Sequence, residues 1–121
     1  MLPILFPILL AASPASRPAA GPVIPVPADP HAVWHDEGLV ADRGELILIT
    51  RRDGADGMRW SRRVILCREG RVEHIGGGRT RAVVMRQEWM GAMLPPAPGS
   101  VDADLMAYGC RGPVRQPATS G

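Results

Sequence analysis

Arginine and tryptophan side chains occur close together in the middle of this 121-residue chain. Arg59 and Arg63 lie four positions apart, and Trp60 lies between them. Because alternate residues of a strand share a face, both arginines would lie on one face. Guanidinium groups bind phosphate and carboxylate oxygens through paired hydrogen bonds, and an aromatic ring can stack beside them. Arg59, Trp60 and Arg63 are therefore a candidate ligand-binding site, the alternative being that Trp60 faces the core and the arginines face water.

Positive charge also accumulates around this site. All 14 cationic side chains are arginines, and ten of them lie between Arg51 and Arg86, where only four acids occur. Such a local excess favours an anionic partner, either a protein or an anionic component of the cell envelope. The alternative is a solvated face that binds nothing. Nucleic acid is not expected as a partner if the chain is exported.

Two histidines are weak candidates for a metal site. His31 and His35 would share a face of a helix, and Asp36 and Glu37 follow directly. Histidine and carboxylate side chains bind zinc and related ions, but a site needs at least a third ligand at a defined spacing. The pattern therefore favours surface histidines, with a metal site as the alternative.

No motif in the chain specifies a reaction. There is no Gly-x-Ser-x-Gly elbow and no phosphate-binding loop, and neighbours such as Glu73 and His74 would point to opposite faces of a strand. We therefore predict a non-enzymatic binding or accessory protein, with no catalytic residue and no cofactor. The alternative is a small metal-dependent or acid–base hydrolase that uses His31, His35 or His74.

The two cysteines, Cys67 and Cys110, lie 43 positions apart. No Cys-x-x-Cys motif is present and no histidine adjoins either cysteine. An even pair in an exported chain predicts a disulfide bond, the alternatives being free thiols in a reducing compartment or a reactive or metal-binding pair.

Residues 1–12 form an uncharged apolar run, which small residues and prolines follow. A transmembrane helix needs about 20 apolar residues, so the run predicts a cleaved signal peptide and a mature chain without a transmembrane segment. Export to the periplasm or the medium follows. Against this, no basic residue precedes the run, and Pro3 and Pro7 interrupt it; an apolar N-terminal strand or a disordered tail is the alternative.

The domain organisation follows from composition. Residues 1–15 are predicted as the signal peptide and residues 16–30 as a proline-rich spacer, in which Val23 to Val26 could form an edge strand. Residues 31–112 are predicted as one small globular domain, and residues 113–121 as a disordered tail.

Hydrophobic patterns predict strands at residues 45–51, 58–67 and 71–75, whereas residues 31–42 fit either a strand or a short helix. A turn ending at Gly70 would place Leu66 opposite Val72 and Val64 opposite His74.

After a mobile turn at residues 76–78, residues 82–85 are predicted as a fourth strand, with a helix as the alternative. Ala82, Met85, Trp89 and Met93 recur at helical spacing, so the segment is either helical or a strand that passes into helix near Gln87.

Ser100 is the expected N-cap of a helix over residues 101–108, which Gly109 would end. The predicted fold is therefore α+β: a small antiparallel β-rich domain of about four strands with one short C-terminal helix.

Overall fold

A computed structural model describes residues 20–88 and 91–111. Its centre is one antiparallel sheet of five strands in the order β1-β2-β3-β4-β5, so each strand lies beside its neighbour in sequence. The strands are β1 (Val23–Ile24), β2 (Val33–Asp42), β3 (Glu45–Gly54), β4 (Gly57–Leu66) and β5 (Arg71–Gly78), and the helices are α1 (Arg81–Met85) and α2 (Val101–Arg111). The predicted α+β class is confirmed, with one more strand and one more helix than expected.

Strand β3 is buried on both faces, as its run of apolar residues predicts. Leu48, Ile49 and Thr50 are consecutive, and all three are buried. Since alternate side chains point to opposite faces, both faces need a cover. Leu48 packs in one cluster with Leu105 of α2, while α1 packs against β4 and β5. The two faces are called the α2 face and the α1 face below.

The loop between β4 and β5 corrects the predicted register. Ile65 pairs with Val72 and Arg63 pairs with His74, one position away from the expected pairs. The loop holds four residues rather than three, and the amide of Gly70 donates to the Leu66 carbonyl oxygen at 2.8 Å. When the pairing of two strands shifts by one position, different side chains of the two strands share a face of the sheet. His74 therefore shares the α2 face with Arg63.

The segment after β5 is a helix, so the strand predicted there is wrong and the helical alternative is correct. Thr80 caps α1 through its side-chain oxygen, which accepts from the Val83 amide at 3.2 Å. The predicted turn at residues 76–78 is wrong, because β5 continues through Gly78. Helix α1 ends at Met85, and Trp89 of the longer helical pattern lies outside the described residues.

Helix α2 begins as predicted and ends later. Ser100 caps it, because the Ala103 amide donates to the Ser100 hydroxyl at 3.1 Å. Gly109 does not end the helix; it is buried on the side of α2 that faces the sheet, where a Cβ would lie in ordinary contact 3.5 Å from Ile65 Cδ1. The predicted disulfide bond is confirmed between Cys67 and Cys110, whose Cα atoms are 5.6 Å apart.

The described part of the proline-rich segment, residues 20–30, is part of the folded domain. Val23 and Ile24 pair with β2, and the side chains of Ile24 and Val26 are buried in the core. The edge-strand alternative thus describes these residues, and the packed domain begins before residue 31. The predicted signal peptide and tail lie outside the described residues. Within the described part of the chain, no helix has the length and apolar character needed to cross a bilayer.

Candidate basic cleft

The α2 face carries an arginine that is almost fully buried. Arg63 is only 5% exposed. Its Nε–H donates to Asp102 Oδ1 at 2.7 Å and its Nη1 donates to Ser61 Oγ at 2.8 Å. The Arg63 guanidinium carbon also lies 5.7 Å from the centre of the Trp34 ring. Burial lowers the pKa of Arg63, and the Asp102 carboxylate opposes that effect. Arg63 therefore joins the sheet to α2, and its hydrogen bonds are used inside the protein.

A small cavity of about 160 Å³ opens on the same face next to Arg63. We call this cavity the basic cleft. Its lining residues come from four of the strands: Trp34, Arg52, Arg59, Trp60, Ser61, His74 and Gly77.

The two arginines that line the cleft differ in their partners. Arg52 donates through Nε to Asp29 Oδ2 at 2.6 Å, and the Trp34 indole donates to the same oxygen at 2.9 Å. These hydrogen bonds lower the pKa of Asp29, and the bond that Arg52 donates to Asp29 raises the pKa of Arg52. Arg59 is exposed, and among the described residues it has no hydrogen-bond or ion-pair partner. Arg59 is thus the cation of the cleft that can bind a ligand.

His74 forms another wall of the cleft. It lies directly opposite Arg63 in the strand register. Burial lowers the pKa of His74, the nearby Arg63 lowers it further, and Asp102 together with a Gly76 backbone hydrogen bond opposes this. The imidazole is therefore neutral at pH 7, with one nitrogen that donates and one that accepts.

Gly77 keeps the cleft open. It pairs with Ser61 across the strands, so a side chain at position 77 would point toward the α2 face. A Cβ there would lie 3.2 Å from the Trp60 carbonyl oxygen and 4.0 Å from His74 Nε2. A side chain here would narrow the cleft beside Ser61 and His74.

A second depression, of about 510 Å³, lies on the other side of His74. We call it the apolar hollow, because most of its lining is apolar. The apolar lining residues are Val72, Ala92, Leu94, Pro95, Pro96 and Ala97, and the polar ones are Glu73, His74, Ser100 and Asp102.

The three residues of the predicted ligand site do not all lie on one face of the sheet. Arg59 pairs with Arg52, Trp60 with Arg51 and Arg63 with Leu48. Arg59 and Arg63 therefore share the α2 face, as alternation predicts, whereas the Trp60 ring lies on the α1 face with the Arg81 guanidinium carbon 5.9 Å from its centre. Only Arg59 of the three offers an unused side chain to a ligand on the α2 face.

The histidines of the alternative hydrolase site do not lie together. His35 pairs with Arg51 and so lies on the α1 face, opposite to His74. Its Nδ1 is 2.9 Å from the Gly21 carbonyl oxygen, and its Nε2 is 3.4 Å from Asp53 Oδ2. His31 lies in the turn before β2. Among residues 20–88 and 91–111, no group of three or more histidine, cysteine or acidic side chains is arranged to hold a metal ion.

The side chains of the cleft determine what it can bind. No family model, curated protein or solved structure matches this chain. Arg59 offers a planar group of donors, which binds anionic oxygens. The Ser61 hydroxyl oxygen accepts from Arg63 and lies 2.7 Å from Thr50 Oγ1, so it is already engaged within the protein. Sequence reasoning missed Ser61 and Gly77, and it named His74 only for the alternative hydrolase; the strand register brings the three together.

Proposed function

We propose that this domain is a non-enzymatic binding protein that holds an anionic group, a phosphate or a carboxylate, in the basic cleft. The observation that carries this proposal is the difference between the two arginines of the cleft. Arg52 is neutralised by Asp29, whereas Arg59 has no partner among the described residues. An exposed guanidinium beside a cavity gains charge-assisted hydrogen bonds when an anion arrives.

The charges around the cleft support an anionic ligand. Its lining contains two arginines and no acidic residue. The nearby carboxylates of Asp29 and Asp102 are already bonded to Arg52 and Arg63. An incoming anion therefore meets the exposed guanidinium of Arg59 and no carboxylate in the lining of the cleft.

A titration with inorganic phosphate tests the proposal. We expect ¹⁵N–¹H spectra of the protein at low ionic strength to show saturable shifts of the amides of Ser61, His74 and Gly77. Added salt should weaken the binding, because exposed charges are screened. Replacing Arg59 by glutamine should weaken it about tenfold, which corresponds to the loss of a charge-assisted hydrogen bond.

Arg68→Gln is the matched control. Arg68 is exposed in the loop after β4, at the opposite end of that strand from Arg59, and its replacement removes the same charge. If both variants weaken phosphate binding equally, only the net charge matters and the cleft is not the site. If the wild-type protein shows no saturable shifts at all, the proposed function is wrong.

We also propose that the chain is exported before it acts. The disulfide bond supports this, because such bonds persist in oxidising compartments, and the apolar run at residues 1–12 supports it independently. Intact mass spectrometry of protein from its native host should show the loss of the first 15 residues and an increase of 2 Da on reduction. An unprocessed chain with two free thiols would overturn the proposal.

A further inference from the structure

The geometry points to a peptide as the anionic partner, with an acidic residue at Arg59 in the basic cleft and an apolar residue in the apolar hollow. This inference rests on the proposed function and names the chemical class of its ligand. His74 lines both depressions. The two therefore lie side by side, and one ligand can occupy both.

The strand register sets the length of that ligand. Arg59 lies six positions from Ile65 along β4, Ile65 pairs with Val72 of β5, and Val72 bridges to Leu94. Six strand residues extend roughly 20 Å, at about 3.3 Å per residue. An extended peptide of about six residues spans the same distance. Inorganic phosphate would fill only the cleft.

The exposure of the hollow favours a peptide over an acyl chain. Leu94 is 65% exposed, and Pro95 and Ala97 are exposed as well. Sites for small apolar molecules usually enclose most of the ligand surface. An open apolar depression instead matches a side chain of a peptide, which needs contact on one side only.

Charge sets the orientation of the peptide. Arg59 lines the cleft, and no arginine is among the residues that line the hollow. An acidic peptide residue is therefore favoured at the cleft and an apolar one at the hollow.

Isothermal titration of the full domain with defined peptides tests this inference. The probe is acetyl-Leu-Leu-Ser-Gly-Ser-Asp-amide, measured together with its reversed sequence so that the preferred direction is included. One matched peptide replaces Asp by Asn, and another replaces both Leu residues by Ser. We expect each replacement to weaken binding about tenfold, because one removes the charge and the other the apolar contact.

Two variants of the protein localise the apolar contact. Leu94→Ser should remove the preference for the Leu-containing peptide and leave phosphate binding unchanged. Ala97→Asp should do the same by placing a charge in the hollow, and since Ala97 is exposed, it serves if Leu94→Ser fails to fold. Arg59→Gln should weaken binding of every peptide that contains Asp.

The outcomes separate this inference from the proposed function. If phosphate binds but the Leu-containing and Ser-containing peptides bind equally, the cleft stands and the peptide inference is wrong. If dodecanoate binds more tightly than the peptides and competes with them, an acyl chain is the ligand and the inference is also wrong. If neither phosphate nor peptide binds, the proposed function falls first.

Discussion

The Nε–H of Arg63 donates to Asp102 Oδ1 over 2.7 Å, which ties the middle of the sheet to the first turn of α2. The Arg63 side chain is 6% exposed and the Asp102 side chain 36% exposed, so one member of the ion pair is buried and the other is partly solvated. A buried charge that loses its partner is costly, whereas a solvated one is not. Loss of the Arg63 charge and loss of the Asp102 charge should therefore change the free energy of unfolding by different amounts.

Asp102→Asn should lower the free energy of unfolding by about 2 kcal/mol, because the guanidinium of Arg63 stays buried without its counter-ion. The measurement is urea unfolding at pH 7. Asp56→Asn is the control, since Asp56 is 83% exposed beside Arg52, and its loss should cost at most about 0.5 kcal/mol. Equal effects of the two substitutions would show that burial of Arg63 does not govern the stability of this pair.

Reduction of the Cys67–Cys110 disulfide should destabilise the domain strongly. The bond closes a separation of 43 residues, for which the chain-entropy relation gives about 4 kcal/mol. Thermal unfolding with and without reductant measures this difference. The Cys67→Ser/Cys110→Ser double variant should resemble the reduced protein and show no response to reductant. A reduced protein as stable as the oxidised one would contradict the prediction.

Sequence patterns correctly predicted the strands and helix ends that depend on residues close together in the chain. The apolar run of β3 is buried on both faces because helices cover both sides, and Ser100 caps α2 because its hydroxyl accepts from the Ala103 amide. Gly109 was misleading for a long-range reason. A glycine near the end of a helix usually predicts its end, but here Gly109 is buried on the side of α2 that faces Ile65, and the helix continues to Arg111.

The candidate site was less predictable because it depends on register and on packing between distant elements. Alternation correctly placed Arg59 and Arg63 on one face, but only the position of α2 buries Arg63 and leaves Arg59 free. One extra loop residue, Cys67, decides that His74 joins them. Trp34, which packs on Arg63, lies in a segment whose pattern fits a helix as well as a strand.

Stability should fall as the pH drops below about 6.5, and His74 should cause part of that loss. Burial and Arg63 lower its pKa in the folded state from the ordinary value of 6.5. The unfolded chain then takes up a proton first, so acidification favours unfolding until the pH passes the lower folded pKa. Urea midpoints at pH 7.5 and 5.5 measure the effect. His74→Asn should reduce the pH dependence in this window; an unchanged slope would show that His74 does not contribute.

Gly77→Ala should weaken phosphate binding about fivefold, equivalent to about 1 kcal/mol, while the domain stays folded. The added methyl group would occupy the space between the Trp60 carbonyl oxygen and His74 Nε2, which lie 3.2 and 4.0 Å from the new Cβ. Gly38→Ala is the matched control: its Cβ would lie 3.4 Å from Ile49 Cδ1, away from the cleft. Phosphate titration and thermal unfolding of both variants separate the two effects. If Gly38→Ala weakens binding as much as Gly77→Ala, the loss reflects a general change in the sheet and the ligand does not lie beside Gly77.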